Sequence, residues 1–89
     1  MRERYLEVTF RKERPIAAYL YLPRAPCVES MRTEQVGRGL LVDYGEGVKP
    51  IGLEITAPGQ VTLEEINAAL EKIGQPRIES EELAPLAAA

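Results

Sequence analysis

Residues 39–55 read GLLVDYGEGVKPIGLEI. Apolar and polar positions alternate on both sides of a central turn. Leu40, Val42 and Tyr44 share one side of the first run, with Leu41 and Asp43 opposite. Ile51, Leu53 and Ile55 share one side of the second run, with Gly52, Glu54 and Thr56 opposite. A period of two marks half-buried β-strands. The connection, GEGVKP, is short and carries two glycines able to take positive φ. A link this short joins antiparallel neighbours, because a parallel crossover needs a dozen or more residues.

The same period extends towards the N-terminus. In YLEVTF, Leu6, Val8 and Phe10 face one way and Tyr5, Glu7 and Thr9 the other. RKERP follows as a charged turn, and Pro15 suits only the start of the next strand. IAAYLYL places Ile16, Ala18, Leu20 and Leu22 on one face and Ala17, Tyr19 and Tyr21 on the other. Both faces are apolar enough to be covered, which predicts a central strand. CVESMRTEQV is polar between Val28 and Val36 and reads as an edge strand, where charges discourage stray pairing. GRG then turns the chain into the hairpin at 39–55.

Beyond residue 57 the period becomes helical. TLEEINAALEKIG opens with Thr62 as N-cap and Glu65 three residues on, a capping box. Leu63, Ile66, Ala69, Leu70 and Ile73 make one apolar stripe. Lys72 suits the dipole in the last turn, and Gly74 closes the helix. The fold expected is α+β: an antiparallel β-meander of four to five strands with one C-terminal α-helix packed on one face. One domain spans 1–78. Residues 79–89 are expected to form a poorly ordered acidic and Ala-rich tail, with a short helical turn at Ser80–Leu83 that Pro85 ends.

At 89 residues the core is thin; such chains bury about 60–65% of their unfolded surface. Self-association is then a natural source of further burial. Apolar residues are 45% and charged residues 28% of the chain, an ordinary globular balance. The net charge of −3 is uneven: residues 1–14 carry +2, residues 60–89 carry −4, and the stretch between carries −1. A basic start and an acidic end can meet within one fold or across a dimer. No dense basic stripe marks a general nucleic-acid binder. No apolar run reaches the length of a membrane span. A single cysteine, Cys27, allows no intrachain disulfide, which fits a reducing, cytoplasmic setting.

Histidine is absent, and with it the commonest general base and metal ligand. Together with the lone cysteine this leaves no ordinary zinc set and no Ser-His or Cys-His pair. No cofactor motif is present; GRG and GEG are too short to cradle phosphates. The remaining catalytic option is a carboxylate pair, Asp43 and Glu54, which a hairpin would turn to one side as cross-strand or diagonal neighbours. Close together they would serve acid–base work or hold a divalent cation. The commoner use of such acids is a solvated sheet face, here with Arg32 or Lys49 as partners, and that reading is preferred. Tyr19 and Tyr21 point the same way from the central strand. Core packing or an interface is preferred for them over nucleobase stacking, which wants basic neighbours. Cys27 has no activating neighbour and reads as a small apolar residue. RKER reads as a solvated turn.

The ordered set AYLYL, VESMRTEQV, GLLVDYGEG and IGLEI, followed by a helix, resembles the YuzE-like family of small bacterial proteins, a domain of unknown function. The likeness covers residues 5 to about 57. It departs at Pro15-Ile16-Ala17, where members carry an acid before the strand. It departs again at GEGVKP, where members have an acid-rich turn. The resemblance implies a compact α+β fold and brings no established activity. It also implies an antitoxin-like partnership with a small toxin-like protein. The function expected is a small non-enzymatic protein-binding module. The alternatives are a metal-binding or hydrolytic domain using Asp43 and Glu54, and a structural homo-oligomer, most simply a dimer, through the Tyr19/Tyr21 face.

Overall fold

A computed structural model describes residues 4–23 and 30–83. Five strands form one antiparallel sheet: β1 (Tyr5–Arg11), β2 (Arg14–Tyr21), β3 (Arg32–Gly37), β4 (Leu40–Tyr44) and β5 (Pro50–Ile55). One helix, α1 (Leu63–Lys72), follows. The α+β class and the C-terminal helix are as the sequence predicts. The spatial order is β1-β2-β5-β4-β3. Two antiparallel runs, β1-β2 and β3-β4-β5, therefore join through β2 and β5, and the order is not sequential throughout. β2 is internal and β3 is an edge, both as expected. β3 is shorter than the CVESMRTEQV run: Met31 precedes it, and Cys27, Val28 and Glu29 lie outside the described residues.

The β1–β2 hairpin turns at Lys12 and Glu13, with φ of 52° and 67°. Two positive φ values in a two-residue loop are the signature of a type I′ turn, which favours Asn-Gly. Side chains with a Cβ bear strain there. Replacing Lys12-Glu13 by Asn-Gly is expected to stabilise the domain by about 1 kcal/mol, which raises Tm by roughly 4–8 °C. Thermal unfolding followed by circular dichroism checks this, and an unchanged or lowered Tm refutes it.

Near the turn Arg11 faces Arg14 and Phe10 faces Pro15, but from Thr9 onward the register moves by one, so that Thr9 faces Ala17 and Tyr5 faces Tyr21. Ile16 is the extra residue of this β-bulge. The shift sets Leu6 against Leu20 and Val8 against Ala18, so the apolar side of each strand meets the other. Alternation puts Ile16 on the face of Ala18, Leu20 and Leu22, a face expected to be covered, yet Ile16 is 48% exposed. It sits on the bulge, and β5 no longer accompanies β2 past the Ala18–Ile55 pair.

The core lies between α1 and one sheet face. Ala18, Leu20, Leu22, Leu40, Val42, Leu53 and Ile55 meet Ile66, Ala69 and Leu70. Thr62 accepts from the Glu65 amide at 3.1 Å, and the Glu65 carboxylate accepts from the Thr62 amide at 3.0 Å, so the capping box is complete. At the other end Gln75 N–H donates to Leu70 O (2.9 Å) and Gly74 N–H to Glu71 O (3.1 Å), with Gly74 at φ 74°. These two bonds and the left-handed glycine make a Schellman motif. Leu63, assigned to the buried stripe, is exposed at the first turn. Lys72 reaches past the helix end and donates to Val36 O on β3 at 2.9 Å.

Buried Asn67 takes a place in the helix stripe (2% exposed). Its side chain accepts from Ile78 N–H at 2.6 Å and donates to Ile78 O at 3.2 Å. Ile78 is itself in the core, and Leu83, grouped with the tail in the sequence reading, joins it from the 3-10 turn Ser80–Leu83. The packed domain therefore continues to Leu83. Residues 84–89, including Pro85, lie outside the described residues. Arg4 donates to Pro76 O at 2.6 Å and to Arg77 O, and pairs with Glu82 at 3.5 Å. The basic start and the acidic end meet within one fold. Among the described residues no helix is long and apolar enough to cross a membrane.

Candidate binding face

The sheet face opposite the core carries Tyr5, Glu7 and Thr9 from β1 and Ala17, Tyr19 and Tyr21 from β2. Gly52 and Glu54 from β5, Leu41 and Asp43 from β4, and Thr33 and Gln35 from β3 complete it, by alternation and register. It contains all four residues singled out in the sequence: Tyr19, Tyr21, Asp43 and Glu54. The two tyrosines meet edge to face, with ring centroids 4.7 Å apart and planes at 68°. Tyr21 also stacks on Tyr5, at 4.5 Å and 15°. Tyr5 is 50% exposed, so the aromatic row runs from half-buried to open. The Tyr21 hydroxyl donates to Glu7 at 3.4 Å.

Asp43 accepts two hydroxyls: Tyr19 donates to Oδ2 at 2.7 Å and Thr33 to Oδ1 at 2.6 Å. Hydrogen bonds to a carboxylate are among the stronger ones. Tyr19 reaches Asp43 by crossing β5 at Gly52. Tyr21 and Asp43 both stand opposite Gly52 in the register, and a Cβ at that position would overlap the Tyr19 hydroxyl and ring. The missing side chain of Gly52 is thus the seat of the Tyr19 ring.

Glu54 stands between Tyr19 on β2 and Leu41 on β4, diagonal to Asp43. No described residue gives Glu54 a hydrogen bond or an ion pair. Arg32, expected as a partner for these acids, lies on the other side of the sheet. Its register mate is Tyr44, its guanidinium sits 4.7 Å over that ring, and it pairs with Glu34 at 3.3 Å. Lys49 pairs with neither acid. Among the described residues no group of three or more His, Cys, Asp or Glu is placed to hold a metal ion.

The sequence reading did not single out Tyr5, Thr33 or Gly52 as members of this face. Alternation alone puts Tyr5 beside Glu7, but its stacking on Tyr21 depends on the Ile16 bulge. Thr33 joins Asp43 through the β3–β4 register, and the role of Gly52 as the seat of Tyr19 appears only once β5 is known to lie beside β2. No family model matches the chain, and neither the curated proteins nor the solved structures give a match.

Proposed function

We propose that the chain is a small protein-binding module that presents the Tyr5–Tyr21–Tyr19 row to a partner. The observation that carries this reading is the aromatic row on the sheet face opposite the helix, open at Tyr5. Tyrosine supplies large, rigid contact area with a polar tip and is enriched at interfaces. The ties from Tyr19 to Asp43 and from Tyr21 to Glu7 fix two of the rings before a partner arrives, which lowers the ordering cost of binding. The YuzE-like resemblance suggests the partner: a small toxin-like protein that this chain would hold in check.

Tyr5→Glu/Tyr21→Glu is the informative variant. Wild-type chain is expected to co-purify with a toxin-like product of a neighbouring gene, and the variant to lose that product while keeping its far-UV circular dichroism. Recovery of the same complex with the variant, or of the wild-type chain alone when both genes are co-expressed, refutes the reading.

The carboxylate alternative draws less support. Both oxygens of Asp43 already accept hydroxyls, and Glu54 is its diagonal rather than direct neighbour. A metal-dependent rise in Tm that Asp43→Asn/Glu54→Gln abolishes would favour it instead.

A further inference from the structure

The two edges of the sheet differ. On β3 the register slips between Gln35 and Gly37, Arg32 pairs with Glu34 along the strand, and Lys72 occupies the Val36 carbonyl. Bulges, charges and capped carbonyls are how natural edges avoid pairing. β1 has no bulge and no capped carbonyl among the described residues, and its two charges, Glu7 and Arg11, are of opposite sign. The bulge of its hairpin falls on β2 at Ile16, so β1 runs as seven regular residues, and no described residue bonds its outer side. Leu6 and Val8 are only partly buried, and Phe10 is 46% exposed.

Charge runs along the same strand. Arg11, Lys12 and Arg14 stand at the hairpin end without an ion-pair partner among the described residues. The opposite end of β1 adjoins the acidic 3-10 turn: Arg4, next to Tyr5, holds Glu82, with Glu79 and Glu81 beside it. One edge is therefore basic at one end and acidic at the other, and it matches its own reverse.

We propose that β1 pairs antiparallel with β1 of a second copy of this chain about a two-fold axis through Thr9. In this register Glu7 lies opposite Arg11 of the second copy, twice over by symmetry, on the tyrosine side. Val8 lies opposite Phe10 of the second copy on the helix side, and Thr9 meets Thr9. Opposite charges, apolar pairs and Thr–Thr pairs are the favourable cross-strand combinations. The basic hairpin of each copy comes to the end of the other that carries Glu79, Glu81 and Glu82. The interface is isologous and closes at two copies. The result is one ten-stranded sheet with both helices on one face and both tyrosine rows on the other. The edge borders the partner-binding face and shares Glu7 with it, but self-association is read without any partner present, so the two readings fail separately.

The test is sedimentation of the full chain and two charge variants. Wild type is expected to dimerise reversibly, with the dimer weakened by added salt. Arg11→Glu leaves two acids facing two acids, and Glu7→Arg leaves two bases facing two bases. Each variant alone should associate about tenfold or more weakly. An equimolar mixture of the two restores complementary pairs and should dimerise as wild type does. Circular dichroism confirms the fold of each; Glu7→Lys and Arg11→Asp carry the same charges should either fold poorly. A wild-type chain that stays monomeric at every concentration overturns the proposal. So does a dimer that neither substitution weakens, a mixture that stays monomeric, or a monomer whose basic hairpin instead binds short duplex DNA.

Discussion

Gly52→Ala is expected to destabilise the domain by about 1–3 kcal/mol, and the same change made in a Tyr19→Ala background is expected to be neutral or stabilising. A strand glycine normally gains about 0.5–1 kcal/mol on becoming alanine, because the unfolded chain loses freedom. Here the sign reverses. The new methyl group occupies the place of the Tyr19 ring, and the ring must swing away. Tyr19 then loses its bond to Asp43, worth roughly 1.5–3 kcal/mol for a charged acceptor. It also loses its edge contact with Tyr21, worth about 0.5–1.5 kcal/mol. These losses outweigh the backbone gain. Once Tyr19 is truncated, nothing opposes the methyl group and the backbone gain remains. Denaturant titration of the four proteins of this cycle measures the coupling, expected at about 1–4 kcal/mol. A coupling near zero would show that the Tyr19 ring does not depend on the missing Cβ.

Asn67→Ala is expected to cost more, about 2–4 kcal/mol, a large share of the roughly 5–15 kcal/mol that holds a domain folded. Two backbone groups of one residue depend on this side chain: the Ile78 amide and the Ile78 carbonyl. Ile78 is buried, so both would be left without partners away from water, at about 1–3 kcal/mol each. The damage should also be local. The segment from Gln75 to Leu83 returns along the core, and Asn67 holds its middle while Arg4 holds its start. Native-state hydrogen exchange is expected to show the Ile78 amide losing more protection in the variant than β4 and β5, which fall only with the global stability. Equal loss of protection everywhere would mean that this segment opens only with the whole domain, contrary to the argument. Asn67→Asp separates the two bonds: it keeps the acceptor for Ile78 N–H and removes the donor to Ile78 O.

Much of this was legible in the sequence wherever the governing interactions are local. Strand alternation, the capping box of Thr62 and Glu65, the left-handed Gly74 and the polar edge of β3 all follow from residues within a few positions of one another. The arrangement of the candidate face was less legible because it depends on pairings far apart in the chain. That Tyr19 and Asp43 meet requires β5 to lie between β2 and β4, which neither strand encodes alone. Arg32 went to the wrong side in the sequence reading because its parity is set by pairing with Tyr44. Asn67 was overlooked because a polar residue in a helix stripe looks like a lapse in the pattern until its distant partner, Ile78, is in place. Ile16 fits the alternation perfectly, and its exposure follows only from the bulge and from where β5 stops.

That bulge also bears on how this hairpin can change length. Counted from the turn, an unbroken ladder would have set Tyr5 against Leu20 and turned one strand's apolar side outward; the one-residue slip at Ile16 restores the match. Insertions and deletions between Thr9 and Ala18 are therefore tolerated in steps of two, or singly only when the bulge itself is gained or lost with them. Relatives of this chain should vary freely in the charges of RKER yet keep an even count across it, and a lone deletion there should be as harmful as a substitution in the core.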